Sequence, residues 1–474
     1  MQSEAADAVV VGAGIGGLVA AHTLAARGLR VVVLEAAERA GGPVRGGSFA
    51  SLPDVPLDLG AESFAVRGGA VERLADELGL SVEAPAGLPA WGYAAGRAFQ
   101  LPAAGVLGIP ARPWAADVRR AIGWPGVLRG TLDRVLPSRF VDTTDLGTFA
   151  RSRLGSRVAD RLVTPVAAGV HSAPLDRLDV AAVAPGLLDA YARSGSLSRA
   201  VASLRAAAPP GSAVRGIDGG IHSLVDALLE RLDVRLGARA VAVEQVTGGE
   251  QAMGEAMGGR ADWLVSVEGG PALRAPRLVL ATRVSGAEIE AEVQRSTDLA
   301  PPAPERGADI RLVTLLVEAP ELDTAPRGSG MLVAPGSSPG AVRAKALTHA
   351  TAKWPWLARR VRDAVGPGWH VVRLSYGRIG EPTPDPTPEE AAHDASALLG
   401  VDLTGRVRDS LHQRWDGSLP PPTPAYRAVV KEIEEAVLAQ PGLDTTGGWI
   451  AGTGLAAIVG HARRTAERLG EPGF

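Results

Sequence analysis

Gly12, Gly14 and Gly17 stand at the spacing G-x-G-x-x-G, directly after the apolar run Ala8-Val9-Val10-Val11. Residues in that pattern can bind the pyrophosphate of a dinucleotide. Gly12 permits a tight turn, Gly14 lets a phosphate approach the backbone, and Gly17 lets the next helix pack close on the strand. Ala13, Ile15 and Gly16 complete the loop. A helix predicted from about Ile15 to Arg27 would aim its unbonded N–H groups and positive dipole end at the phosphates. Val31-Val32-Val33-Leu34 reads as a second buried strand and ends in Glu35, which is placed to accept hydrogen bonds from ribose hydroxyls. Strand, turn, helix, strand and acid in this order predict a dinucleotide site. The alternative is a glycine turn in some other βαβ unit.

The segments that follow bear on which dinucleotide. Glu35-Ala36-Ala37-Glu38-Arg39-Ala40-Gly41-Gly42 resembles the E-x-x-x-R-x-G-G extension of amine-oxidase-like flavoproteins. Asp58-Leu59-Gly60-Ala61-Glu62-Ser63-Phe64 resembles the segment that lies along the flavin in those proteins. Near the C-terminus, Trp449-Ile450-Ala451 predicts a strand, Gly452-Thr453-Gly454 a second glycine turn, and Leu455 to about Leu469 a last helix. The resemblance implies that this helix start faces the pyrimidine end of the flavin, where negative charge gathers on reduction. A glycine-capped αβ turn is the alternative for that run. The set favours FAD, bound non-covalently, over NAD.

Those elements need a scaffold. The chain has 474 residues, enough for two or three domains and a large core. Net charge is −3 and there is no basic run, which argues against nucleic acid. There is no cysteine, which excludes disulfides, iron–sulfur clusters, a redox-active disulfide and cysteinyl attachment of a flavin. The 8 histidines are scattered without ligand spacing, so no metal is expected. Ala8 to Ala26 is free of formal charge, but the buried strand, turn and helix account for it better than a membrane span or signal anchor. A cytoplasmic protein is expected, with membrane contact at most peripheral.

Along the chain, a helix is predicted over 70–79, a hairpin near Trp91–Leu101, and a proline-broken helical stretch from Pro102 to about Pro210 without strand signals. A helix over 221–232 follows, then strand-like runs near 234–243, 263–267 and 272–275 that form a meander, with a long loop over 247–260. Arg277–Thr282 would re-enter the parallel sheet. Strands near Asp309–Glu318 and Trp369–Arg378, with helices near Trp356–Val365 and Pro388–Leu399, predict a second lobe over the cofactor. Pro420–Pro424 reads as a rigid connector. The expected class is α/β (α+β overall): a Rossmann-like FAD-binding domain with an inserted β-meander, a mixed-sheet substrate domain and a helical lobe. The expected boundaries assign 1–90, 214–285 and 425–474 to the FAD domain, 91–101 and 286–424 to the substrate domain, and 102–213 to the helical lobe.

End to end, the chain resembles the bacterial porphyrinogen oxidases, the protoporphyrinogen/coproporphyrinogen oxidase family. Beyond the segments above, the similarity rests on Arg67, Gly96-Arg97 with Leu101-Pro102, Gly108-Ile109-Pro110, Gly169-Val170, Gly219-Gly220, Lys353-Trp354-Pro355, Gly377-Arg378 and Trp415. Pro43, Gly68 and Gly69 depart from the family pattern, at places that bear on propionate contacts more than on the flavin.

The resemblance implies oxidation of coproporphyrinogen III to coproporphyrin III, six electrons leaving in three hydride transfers to flavin N5, with O₂ reduced to H₂O₂. The cofactor carries the hard step, and the protein positions the macrocycle in an apolar site. No protein group need act as catalytic acid or base, and no histidine–acid constellation is expected. Leu332 and Leu374 align with apolar positions that flank the reacting pyrrole. Arg67, Arg97 and Lys353 are candidates to hold propionates. Trp415 would pack near the flavin, Ala240 would meet the adenine, and Ala281 would end the central strand beneath the cofactor. The expected partners are the tetrapyrrole, O₂ and a ferrochelatase that takes the product, and the expected state is monomer or homodimer. The alternatives are a protoporphyrinogen IX oxidase, another amine oxidase or carotenoid-type desaturase, and an FAD-bearing homologue without turnover.

Overall fold

The computed structural model describes residues 3–137, 141–207, 213–247, 261–282, 306–336, 342–419 and 422–471. The expected loop over 247–260 and the first two prolines of the connector fall almost wholly outside them.

A five-stranded parallel sheet carries the glycine turn. Its order is Asp233–Arg235, Val31–Leu34, Ala8–Val11, Leu278–Leu280, Leu443–Thr445. The Ala8, Val31, Leu278 and Leu443 strands are buried at every position, as strands covered on both faces must be. On one face the helices Ile15–Ala25 and Leu455–Leu469 pack through Leu18, Leu24, Ile458, Val459 and Ala462. On the other lies the meander Ala240–Thr247, Ala261–Val267 and Leu273–Ala275, whose Trp263 is 1 % exposed and donates Nε1–H to the Pro441 carbonyl at 3.2 Å. The strand expected at Trp449–Ile450 is instead a helical turn, Gly448–Ala451. Leu443–Thr445 takes the sheet position, fully buried beside Leu278–Leu280, while Gly447 at φ +103° turns the chain out of the ladder.

The second lobe is a seven-stranded mixed sheet in the order Val407–Leu419, Ala308–Glu318, Trp369–Tyr376, Ala346–His349, Gly330–Val333, Ala90–Ala94, Arg97–Gln100. Only the Gly330/Ala90 pairing is parallel. One face buries Val313, Leu315, Leu347, Leu374 and Tyr376 under the helix Pro388–Leu399. That helix begins with a capping box in which Thr387 and Glu390 bond each other's backbone N–H, an arrangement that contributes about 1 kcal/mol. The opposite face carries Leu332, Ala346, Thr348, Arg373 and Trp415 toward the rest of the molecule.

The helical stretch packs around Ile122, Phe149, Leu162, Leu187 and Leu197. It is not free of strands: Gly105–Val106 pairs with Ile109–Pro110 in a short hairpin, too brief for periodicity to reveal. A buried ion pair organises it. Arg153 Nε donates to Asp133 Oδ1 at 2.7 Å, and Asp133 also accepts from the Ser196 and Ser198 hydroxyls and the Leu197 and Ser198 amides. Burial pushes the Asp133 carboxyl up, and those donors overcome it, leaving it below its ordinary range. Trp124, Leu128, Leu132 and Val135 stand exposed on this lobe. No helix among the described residues is long and apolar enough to cross a membrane.

Candidate functional site

The first glycine turn has the geometry its spacing predicts. Gly12 has φ +103° and donates its N–H to the Leu34 carbonyl at 2.7 Å. A Cβ on Gly17 would stand 2.0 Å from the Gly12 carbonyl oxygen and 2.9 Å from Ala281 Cβ, so glycine there is a packing requirement. Gly16 has a similar role that the motif does not announce: its Cβ would fall 2.8 Å from Gly447 Cα, where the first helix meets the turn Gly448–Ala451. Gly14 caps the helix, and a Cβ on it would meet nothing within 4 Å. With Ala13 and Ile15 buried and no acid within the first turn itself, the unbonded N–H groups present a positive end.

Glu35 fixes this loop. Its Oε2 accepts from Ala13 N–H at 2.8 Å and its Oε1 from Ala37 N–H at 2.9 Å, which leaves each oxygen a lone pair for a ribose hydroxyl. Ala36 is exposed beside it, and the Ala238 N–H bonds the Glu35 carbonyl at 2.8 Å, so half-buried Ala240 also lies toward this end.

Gly41 and Gly42, with φ +94° and +56°, run past the first turn; the Gly41 N–H bonds the Ala13 carbonyl at 2.8 Å. Arg39 braces them by donating to the carbonyls of Ala40 and Gly42. A Cβ on Gly60 would stand 1.8 Å from the Pro43 carbonyl oxygen, and Ala61 donates to that same carbonyl. Trp415 joins this group: its Nε1–H reaches the Leu59 carbonyl at 3.0 Å, and Arg39 lies 5.4 Å over its ring. At the second glycine turn, Gly452 (φ +87°), Thr453 and Gly454 are exposed ahead of buried Leu455, with open space around both glycines. Two open, glycine-led helix starts joined by a glycine-lined run fit a dinucleotide whose flavin end reaches the second start.

Glu62 is the charge hub of the junction. Lys353 Nζ lies 2.6 Å from Oε1, Arg373 Nη2 lies 2.7 Å from Oε2, and Thr348 Oγ1 donates at 3.3 Å. Burial pushes the carboxyl up, but Arg373 and Lys353 hold it down at about 2. Arg373 also donates to the carbonyls of Asp58 and Gly60, tying the sheet to the Asp58–Glu62 segment. Lys353 is thus committed to Glu62, and the expectation that it binds a propionate is corrected. Sequence reasoning missed Arg373, though a guanidinium within the buried strand Val371-Val372-Arg373-Leu374 needs a partner, and that need was the signal. Ser63 is half-buried between Glu62 and the buried Phe64.

Leu332 is half-buried at the seam with the helical lobe, its Cδ2 3.1 Å from where a Gly169 Cβ would stand. Leu374 is not in the site. It is 0 % exposed on the far face, in the core beneath Pro388–Leu399. Strand alternation is the reason: its neighbours Arg373 and Ser375 take the near face. Arg67, in the turn before the helix Ala70–Glu77, and Arg97, on the Ala94–Arg97 hairpin tip, are both exposed.

The fold does bring histidines to acids, in pairs that the sequence spacing did not show. His222 Nδ1 lies 2.9 Å from Asp58, His461 Nε2 lies 3.0 Å from Glu434, and His370 bridges Asp323 and His349 at 3.1 Å each. These contacts join segments far apart in sequence. His349 faces away from the cofactor groove, on the Leu347 side of its strand.

The parallel sheet, the glycine turns and the second lobe together define a flavin-binding oxidoreductase. Residues 15–309 match the flavin containing amine oxidoreductase family, and the chain belongs to that family and, within it, to the porphyrinogen oxidases. It is 30 % identical over 482 residues to a coproporphyrinogen III oxidase of Mycobacterium bovis, covering 97 % of this chain and 96 % of that one. Against the enzyme of the same description from Mycobacterium leprae the identity is 28 % over 476 residues, 97 % of each chain. A solved structure assigned as a protoporphyrinogen oxidase, from Exiguobacterium sp. 255-15, shares the fold with TM-score 0.75 at 21 % identity, over 99 % of both chains.

Proposed function

We propose that the chain is a FAD-dependent coproporphyrinogen III oxidase that removes six electrons from its substrate in two-electron steps, with O₂ as acceptor and H₂O₂ as by-product. The observation that carries this reading is the pair of open, glycine-led helix starts, together with the sheet face that bears Leu332 and is tied by Arg373 to the Asp58–Glu62 segment. The names of the full-length relatives supply the substrate. FAD, held without a covalent bond, would supply the two-electron acceptor.

The chain's own residues bind, orient and exclude water. We assign Gly12 to Gly17 to the pyrophosphate, Glu35 and Ala36 to the adenosine ribose, and Ala240 to the adenine. Arg39, Gly41, Gly42, Gly60, Ala61, Glu62, Ser63, Ala281 and Trp415 take the run toward the flavin. Gly452, Thr453, Gly454 and Leu455 take its pyrimidine end, where the helix dipole favours the charge of the reduced form. Leu332 packs the substrate side, with Arg67 and Arg97 within the reading as carboxylate partners. In this reading the protein is cytoplasmic, with membrane contact at most peripheral, and hands its product to a ferrochelatase.

The test is porphyrin fluorescence in air with coproporphyrinogen III and, separately, protoporphyrinogen IX, alongside H₂O₂ detection and release of the flavin by heat. Faster growth with the tetracarboxylate, equimolar FAD in the supernatant and peroxide at three per porphyrin are expected. Preference for the dicarboxylate would move the activity to protoporphyrinogen. Bound flavin with no porphyrin from either substrate would overturn the reading.

A further inference from the structure

Lys345 is 4 % exposed, and its ammonium donates to the Ser172 hydroxyl. Among the described residues no carboxylate lies within 4 Å of it. Its charged neighbour is another cation, Arg378, whose side chain is only 11 % exposed and whose Nε is buried without a partner. Arg378 donates to the Val333 carbonyl at 2.8 Å, and its one acid, Glu381, is 3.7 Å away. The adjoining His171 buries an Nε2 that has no partner. Burial pushes Lys345 down to about 7, with Arg378 adding to the effect, and pushes His171 down to about 4. A buried ammonium whose only partner is a hydroxyl, within reach of the field of a second buried cation, is expensive, and the arrangement is relieved when an anion binds.

The place is suited to one. It lies where the end of the helix Thr164–His171 meets the sheet, next to Leu332 and Gly169. Arg378 lines a cavity of about 270 Å³ with Val333, Val342, Arg343, Gly377 and Glu381, and buried Lys345 is not itself part of that wall. That volume takes a carboxylate-bearing side arm, not a macrocycle.

We propose that Lys345 and Arg378, with Ser172, form a carboxylate-binding subsite that anchors one propionate arm of the substrate. This rests on the tetrapyrrole reading above, and it replaces Lys353 as the buried ammonium that meets substrate. Lys345 positions the substrate and takes no part in electron transfer.

The test compares wild type with Lys345→Met and Lys345→Arg on coproporphyrinogen III and on its tetramethyl ester. Lys345→Met is expected to raise KM for the acid about 10- to 100-fold, the loss of a charge-assisted hydrogen bond, with kcat within threefold. The ester is expected to respond less than twofold, Lys345→Arg to recover most of the acid's affinity, and flavin content and Tm to hold or rise, since an unpaired buried charge is removed. Equal losses for acid and ester, or no loss for either, would overturn the subsite. Should wild type neither oxidise nor bind coproporphyrin III, the functional reading fails, and the subsite is then read from succinate alone. Succinate is expected to raise the Tm of wild type and not of Lys345→Met, and equal shifts would overturn it.

Discussion

The Glu62 carboxylate and the Arg373 guanidinium meet at 2.7 Å across the junction between the glycine-turn unit and the seven-stranded sheet. Lys353 closes the triad from the same sheet-side segment. Glu62 is therefore a fastener between the two lobes. Glu62→Gln leaves two cations facing each other without their anion, and a loss of about 3–5 kcal/mol is expected in urea unfolding. A change below 1 kcal/mol would show that the pair does not hold the lobes.

The same carboxyl sets an acid limit. Its folded pKa, about 2, lies below the ordinary value of 4.5, so its contribution is present in full above pH 4.5 and fades as pH falls toward 2. The difference between wild type and Glu62→Gln, on the order of 3 kcal/mol from the shift, is expected to shrink across that window. A difference flat from pH 5 to 3 would contradict it.

His222 has the opposite sign. Burial lowers its pKa, but the Asp58 hydrogen bond and charge, with Asp226, raise it above 6.5 overall. Its contribution is present in full below pH 6.5 and is lost as pH rises through the folded pKa. His222→Gln is expected to narrow its Tm gap to wild type between pH 6 and pH 9; a widening gap would refute the pairing.

Two glycines in one motif should fail differently. Gly14→Val puts a side chain into open space at a backbone with φ −65°, so the apoprotein is expected to keep its Tm while flavin occupancy falls at least tenfold. Gly17→Val drives a side chain into the Gly12 carbonyl and is expected to lower soluble yield and apoprotein stability. Indistinguishable variants would remove the division between cofactor approach and helix packing.

Leu332 and Leu374 offer a similar contrast. Leu374→Ala is expected to cost about 2–5 kcal/mol of stability with kcat/KM nearly kept, the signature of a core cavity. Leu332→Ala is expected to change KM more than stability. Reversal of the two would put Leu374 back on the substrate face.

What could be read from the sequence was local. The glycine turn, the helix after it, Glu35 and most strands declare themselves through neighbours a few residues away. The phase of a buried strand did not: Leu374 and Arg373 differ by one position, and only the packing of Pro388–Leu399 decides which of them turns inward. The engagement of Lys353 was hidden because its partner comes from the far end of another lobe. The edge strand Val407–Leu419 escaped notice because Asp409 and Gln413 interrupt its less exposed positions Val407, Leu411 and Trp415, leaving no alternation of apolar residues to follow.

The parallel sheet has one further effect, on the timing of birth. Its first strand is Ala8–Val11 and its last Leu443–Thr445, with the covering helix Leu455–Leu469 later still. At about 5–20 residues per second of synthesis, the nascent Leu278–Leu280 edge and the apolar flank of the first helix stay uncovered until the closing residues emerge. Until then the chain offers a chaperone a sticky, half-built sheet, and the second glycine-led helix start does not yet exist.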